Sequence, residues 1–394
     1  MKTASKLPGR NFKTICPVTT AISAMAVASL VLLSACVTPL DVKPSAFENT
    51  LVVEGFIDDD FGPHVFRVSR LAKFSGIRDD GATPNIDAEV RIIDQNGQVT
   101  PVRRESVRRK DVFIIPPGCG IGLNFVEVLT NYWTPATFKG EIGNTYILEI
   151  CTDDNKVYRS LPQTIRPTPP LDSLHLLFKE LPSLDPVIKP SGVEVIASWQ
   201  DPPGEDNYYF WRINGIYRIS TAEDNLSSQT CCPFDPTDNG ARDCWILEDN
   251  RAEIETAFST NLNDGQRISL PVGFIEDNGL RFTGEGVPSE KLYHVEVEQY
   301  AVPEEAFDFN SRLKVLDEID GELFDPPPIS IRGNIFNVAD EGEPVIGFFG
   351  AYSVQKNSIF IPESLLKFKQ RDPRPCGDCR VRAGARTETP EPYQ

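Results

Sequence analysis

Apolar and polar residues alternate over short runs along most of this chain, the period of half-buried strands. Leu51-Val-Val-Glu-Gly-Phe-Ile57 and His64-Val-Phe-Arg-Val-Ser-Arg70 are β-branched and aromatic, and Asp58-Asp-Asp-Phe-Gly-Pro63 joins them, so the pair predicts a hairpin. Further strands are predicted over Ala88–Ile93, before a turn at Asn96-Gly97, and over Val112–Ile115, Asn144–Ile150 and Lys156–Ser160. Pro162, Pro167, Pro169 and Pro170 then mark a linker. Beyond it, Val193, Val195, Ala197 and Trp199 share one face of a strand, and Asn207–Ile213 alternates again after a turn at Asp201–Asp206. This pair resembles the early strands of a fibronectin type III or immunoglobulin-like domain, in which an inward tryptophan fills the core. Tyr208 and Phe210 suit packing between sheets, or a platform for stacking glycans.

Leu292–Tyr300 predicts another strand, followed by the one good helix. Pro303 suits a first helical turn, Glu304 and Glu305 suit the positive end of the dipole, and Ala306, Phe309, Leu313 and Leu316 recur at helical spacing. Gly321 and Pro326–Pro328 end it, giving a helix over 303–320. The last strands are Val345–Phe349, Ala351–Val354 and Ser358–Ile361, and the segment 381–394 lacks periodicity and reads as a disordered tail. The expectation is a mainly β chain of two β-sandwich domains of immunoglobulin or fibronectin III type, over 48–165 and 171–380, the second carrying the helix.

The N-terminus changes the picture from fold to address. Lys2, Lys6, Arg10 and Lys13 precede the 13-residue apolar run Ala21–Leu33, which is a signal-peptide pattern too short to span a bilayer as a helix. Leu33-Ser34-Ala35-Cys36 resembles a bacterial lipobox, so residues 1–35 are expected to be removed, Cys36 to be lipidated, and 36–47 to act as a tether. Loss of four basic residues leaves 35 against 57 acids, taking the net charge from −18 to −22. Such an acidic chain is not a general binder of nucleic acid, which is held by excess Lys and Arg.

Export also favours disulfides. Beyond Cys36 lie Cys119, Cys151, Cys231, Cys232, Cys244, Cys376 and Cys379, an odd number, so at least one thiol stays free or pairs between chains. Cys119 and Cys151 are the two of these in the first half, and pairing them would staple one domain, while a link between the Cys231–Cys244 region and Cys376–Cys379 would tie the tail to the second domain. Structural disulfides fit this spacing better than a zinc site, which needs four compact ligands, or a redox dithiol.

No nucleophile elbow, phosphate loop, dinucleotide fingerprint or paired-histidine metal motif appears, so no catalytic, cofactor or metal residues are assigned. His64, His175 and His294 fit satisfied strand positions, and Asp58–Asp60 and Asp79–Asp80 fit acidic hairpin tips rather than calcium loops. Arg103, Arg104, Arg108, Arg109 and Lys110 form the single basic cluster, suited to a solvated strand connection or to a surface for lipid phosphate or an acidic partner.

Leu51–Asp58 shortly after the lipobox, Phe307-Asp-Phe-Asn310, Gly333-Asn-Ile-Phe-Asn337 and Val345–Ser353 together resemble the domain of unknown function 4249, from about Val37 to the Cys376-x-x-Cys379 motif. The resemblance implies a β-sandwich lipoprotein of the Bacteroidota outer membrane, often encoded beside TonB-dependent receptors and serving nutrient capture. It brings no catalytic residues. The expected function is therefore a non-enzymatic, lipid-anchored accessory or ligand-binding protein of such a receptor, on either face of the outer membrane. An envelope hydrolase of glycans or peptides and an adhesive envelope protein are the alternatives.

Overall fold

The protein is described from a computed structural model, over residues 50–71, 86–111, 125–181, 191–220, 243–249, 256–259, 264–276, 291, 293–317, 333–365 and 385–394. The first strands are β1 (Leu51–Glu54), β2 (Phe56–Asp58), β3 (Val65–Arg70), β4 (Ala88–Asp94), β5 (Val99–Asp111), β6 (Phe125–Trp133), β7 (Thr145–Thr152), β8 (Val157–Ser160) and β9 (Gln163–Thr164). Then come β10 (Leu171–Glu180), β11 (Ser191–Gln200), β12 (Tyr208–Ser220), β13 (Asp243–Asp249), β14 (Thr256–Ser259), β15 (Arg267–Glu276) and β16 (Tyr293–Val302). One α-helix follows among the described residues, α1 (Glu304–Asp317), then β17 (Ile335–Asn337), β18 (Val345–Gly347), β19 (Gly350–Tyr352), β20 (Val354–Ile361) and β21 (Ala385–Arg386). The chain is mainly β, as its alternation predicts.

The largest sheet runs β17-β8-β7-β4-β5-β6-β3-β1-β18, with β9 on β7. Its two ends, β17 and β18, are neighbours in sequence, so the sheet turns back on itself and is nearly closed. Inward residues of successive strands, among them Leu51, Phe66, Val90, Ile92, Leu148 and Tyr158, fill the interior with Phe349. β1 and β3 realise the predicted hairpin, whereas β2 leaves it to pair in parallel with β19. The sheet therefore takes strands from both sides of the proline-rich segment.

Side chains, not a ladder, fasten the closing seam. The Asn334 amide donates to Phe349 O (2.8 Å) and accepts from Phe349 N (2.8 Å). Backbones also approach closely there: a Cβ on Gly333 would sit 1.4 Å from Gly347 O, and Gly347 itself has φ +149° with Val53 O 2.2 Å from its Cβ position. Glu343, in the connection between β17 and β18, accepts from Lys156 Nζ (2.9 Å), Tyr158 Oη (2.8 Å) and Asn337 Nδ2 (2.6 Å). Burial raises its carboxyl, but these donors outweigh burial and hold it below the usual range. A second buried acid, Glu149, sits in register between Arg91 and Arg159 and is hydrogen-bonded by both. Burial again pushes its carboxyl up and the two guanidinium groups more than reverse the effect.

Two further sheets, β10-β11-β15 and β20-β16-β12-β13-β21 with β14 on β12, line one shared core. The face predicted for β11 is realised, with Val193, Val195, Ala197 and Trp199 all fully buried. Trp199 packs against Tyr209 and Trp211 of β12 at ring-centroid distances of 5.4 and 5.2 Å. Trp211 Nε1 donates to Gln299 Oε1 (2.9 Å), and Gln299 Nε2 donates to Pro169 O (2.9 Å), so a buried amide completes the polar accounting.

Three expectations are corrected. The proline-rich segment is not a loose linker: Gln163–Thr164 forms β9, Ile165 is buried, and Thr168 Oγ1 donates to Ser353 O (2.6 Å) while accepting from Ala301 N (2.9 Å). Residues 385–394 are not a disordered tail, because Ala385–Arg386 pairs with β13 and Tyr393 docks on Trp245 (4.2 Å) and Phe360 (5.2 Å). Aromatic burial supplies what periodicity did not signal. The helical stripe is shorter than predicted, since Ala306 and Phe309 are buried while Leu313 is exposed.

Candidate functional site

The outer face of β12, β16 and β20 carries the most concentrated chemistry among the described residues. Antiparallel register sets Phe210 beside Tyr300 and Val354, Arg212 beside Glu298 and Lys356, and Asn214 beside Glu296 and Ser358. The face is thus aromatic at one end and charged in its middle. β2 lies over the boundary, placed there by its parallel pairing with β19.

At the aromatic end, Phe210 stacks on Tyr300 (4.9 Å) and meets Tyr352 edge-on (5.4 Å), while Phe56 packs against Tyr300 (5.2 Å) and Tyr352 (5.3 Å). Tyr208 packs on Phe307 of α1 (5.1 Å). Phe210 is therefore buried at a junction rather than offered to a glycan, and Tyr208 is turned to the helix.

In the charged middle, the Arg212 guanidinium lies 4.2 Å from the Phe56 ring centroid. Lys356 Nζ bridges Asp60 Oδ2 and Glu298 Oε1, at 3.0 Å each, and Tyr300 Oη donates to Glu298 Oε2 (2.7 Å). Asp58 Oδ1 accepts from Asp60 N (3.0 Å) and lies 3.8 Å from His64 Nε2. Asp59 fastens the loop to the next strand by accepting from Ser353 Oγ (3.1 Å) and Val354 N (2.8 Å). The acidic triplet predicted as a hairpin tip is instead folded into this junction.

Burial sets the protonation pattern. It raises the Asp58 carboxyl to about 7, helped by Glu298 and opposed by the Asp60 amide and Lys356. Glu296 is also raised by burial. Asp60 feels burial too, but Lys356 and the Phe61 amide outweigh it and keep it ionised below the usual range. The Lys356 ammonium is held charged well above its ordinary value, because Glu298 and Asp60 outweigh the cost of its burial. Asp58 is thus poised near neutrality beside a lysine that stays charged.

The other predicted site residues are dispersed. Cys151 is a free, half-buried thiol 3.9 Å from Arg91 Nη2, so the expected staple between Cys119 and Cys151 is corrected. Cys244 is buried on β13 and is disulfide-bonded. Cys36, Cys119, Cys231, Cys232, Cys376 and Cys379 lie outside the described residues, as do Asp79, Asp80 and the strand predicted over Val112–Ile115. Arg103, Arg104, Arg108, Arg109 and Lys110 all fall on β5, and Arg104 pairs with Asp87 (3.3 Å). His64 and His294 are buried, desolvation lowers His294 below the ordinary imidazole value, and His175 contacts Ser173 (3.3 Å). Among the described residues no three His, Cys, Asp or Glu side chains converge as a metal site.

The chain is mainly β, with a nearly closed sheet and a half-buried charged row. The family model described as Domain of unknown function (DUF4249) matches residues 37–358, and the chain belongs to that family. No curated protein matches the chain.

Proposed function

We propose that this is a lipid-anchored protein of a bacterial outer membrane, built from two sandwich-like β bodies, that binds a partner protein or ligand for a TonB-dependent nutrient receptor and performs no chemistry itself. The observation that carries the reading is the lipobox-like Leu33-Ser-Ala-Cys36, with the family match starting at the next residue. A chain cleaved there presents the whole matched region behind one acylated thiol. The charged row supports a binding role: its cations and acids hold one another in place, as residues of a rigid recognition surface do. Affinity capture from detergent-solubilised envelopes tests the receptor association. Recovery of an outer-membrane receptor with the tagged chain is expected, and its absence from repeated captures overturns the association.

One observation favours a second reading, an envelope hydrolase. Asp58, whose carboxyl burial raises to about 7, feels the charge of Glu298, and hydrolysis of glycans uses a pair of carboxyl groups. Turnover of envelope glycans or peptides that disappears in both Asp58→Asn and Glu298→Gln would establish it in place of the binding role.

A further inference from the structure

Beyond the charged middle, the outer face of β12, β16 and β20 ends in another row. Register sets Ile216, His294 and Phe360 side by side there. Residues 385–394 lie against this row as a strap. Ala385–Arg386 pairs with Trp245 and Ile246 of β13, and Glu391–Tyr393 forms a short 3-10 turn behind Pro390. Tyr393 donates its hydroxyl to Ile216 O (2.8 Å), the carbonyl of the residue directly opposite His294. Its ring packs on Trp245 (4.2 Å) and Phe360 (5.2 Å), and meets His294 edge-on at 6.4 Å.

His294 is closed in by these contacts. The residue is 4% exposed, Phe360 meets its ring at 4.9 Å, and its Nδ1 is buried with no hydrogen-bond partner among the described residues. A neutral imidazole fits such a place, because one of its ring nitrogens carries no hydrogen. The imidazolium does not fit. It needs a hydrogen on both nitrogens, which puts a charged N–H at Nδ1 with nothing to accept it.

The charged groups around the row do not compensate. Lys291 Nζ lies 5.2 Å from the Phe360 ring centroid, and Arg386 stands opposite Trp245 in register, both of like sign to an imidazolium. Two residues along β16, Glu296 is engaged by Asn214 and feels Lys356. Two residues along β12 from Ile216, Arg218 pairs with Asp243 (3.0 Å). In the strap, Glu388 and Glu391 are exposed, and burial keeps the Tyr393 hydroxyl protonated. Burial lowers the His294 imidazole below its ordinary value, and no charge opposes it.

We propose that residues 385–394 are an acid-released strap: a proton taken up by His294 lifts Tyr393 off its row and uncovers the Trp245, His294 and Phe360 end of the face. Release is local, because two residues of strand pairing and one tyrosine hold the strap. The docked strap selects the neutral ring, so docking is complete above the ordinary imidazole value of 6.5 and weakens as pH falls below it. One proton changes the ratio of open to docked strap by at most about tenfold per pH unit. Neither the lipid anchor nor a receptor enters this device.

Hydrogen exchange of the full chain between about pH 7 and pH 5, corrected with an unstructured reference peptide, measures the open fraction of the strap. Protection over residues 387–394 should fall by up to about tenfold per pH unit below 6.5 while β12 and β16 keep theirs. His294→Phe should make protection of the strap independent of pH. A second measurement leaves His294 in place: in Tyr393→Ala, the NMR titration of the His294 ring should move up toward 6.5, since the coupling of strap and proton is reciprocal. Strap protection that ignores pH, that falls equally in His294→Phe, or that falls together with all other strands overturns the proposal. A His294 titration unmoved by Tyr393→Ala overturns it as well.

Discussion

Replacing Asn334 by alanine opens the seam of the large sheet at its narrowest fastening. The side chain is 6% exposed and makes two 2.8 Å hydrogen bonds to Phe349, one as donor and one as acceptor. Each such bond contributes about 1 kcal/mol net, and leaving the buried Phe349 N–H and C=O unpaired adds desolvation cost, so a loss of about 2–4 kcal/mol is expected. No core volume of consequence is removed, so the effect isolates the polar seam from packing. Urea unfolding should show a lower midpoint with an unchanged slope. Hydrogen exchange should speed up first in β17 and β18, which the seam joins, before it does so in β11 or β12. Asn334→Asp keeps an acceptor for Phe349 N but puts a carboxylate beside Phe349 O, and should be no better than alanine. A loss below about 0.5 kcal/mol, or acceleration spread evenly over all strands, would refute the seam as the closing element.

Other outcomes follow from the same geometry. Asp58 binds its proton more tightly folded than unfolded, from an ordinary 3.8 up to about 7, so its contribution is complete below about pH 4 and is lost as pH rises through 7. At about 1.4 kcal/mol per pH unit this is at most about 4 kcal/mol; Asp58→Asn should flatten the stability profile between about pH 4 and 7 as measured by thermal melts, whereas an unchanged profile would exclude the buried proton. Gln299→Ala strands Trp211 Nε1 and Pro169 O and should cost about 2–4 kcal/mol in urea titrations, and a cost below about 0.5 kcal/mol would contradict the role of this amide. Cys244 is disulfide-bonded on β13, the strand that pairs with β21 just after Cys376 and Cys379, so non-reducing peptide maps should join its peptide to that motif; a link to Cys231 or Cys232 would contradict this. Tyr393→Ala removes the stacking on Trp245 and the bond to Ile216 O (2.8 Å), and should make Ala385–Arg386 protease-sensitive with a cost of about 1–3 kcal/mol.

Strands that bury one face were legible in the sequence. Val193–Trp199 and Tyr293–Val297 alternate because Val193, Val195, Ala197, Trp199, Tyr293, Val295 and Val297 line the shared core. β10 was hidden because a register shift between Leu171 and Ser173 breaks its period, and β15 because Pro271 and a shift opposite Val195 and Ile196 interrupt it. β5 was hidden for another reason: past Val102 it has no sheet neighbour except β6 among the described residues, so it needs no apolar face. The charged row was illegible in principle. Asp58–Asp60 reads as a wet turn until β2 pairs with β19, a contact between residues almost 300 positions apart that brings Glu298 and Lys356 alongside. The basic cluster, by contrast, was visible as composition, and the structure places all five cations on β5.

Lipid on Cys36 is what would hold this chain at the outer membrane. Intact mass and N-terminal peptide mass spectrometry of the native protein, extracted from envelopes with detergent, reads this directly. A chain beginning at Cys36 with a diacylglyceryl thioether is the predicted result. A native N-terminus at any other residue, or an unmodified Cys36 thiol on protein that leaves the envelope without detergent, would contradict it.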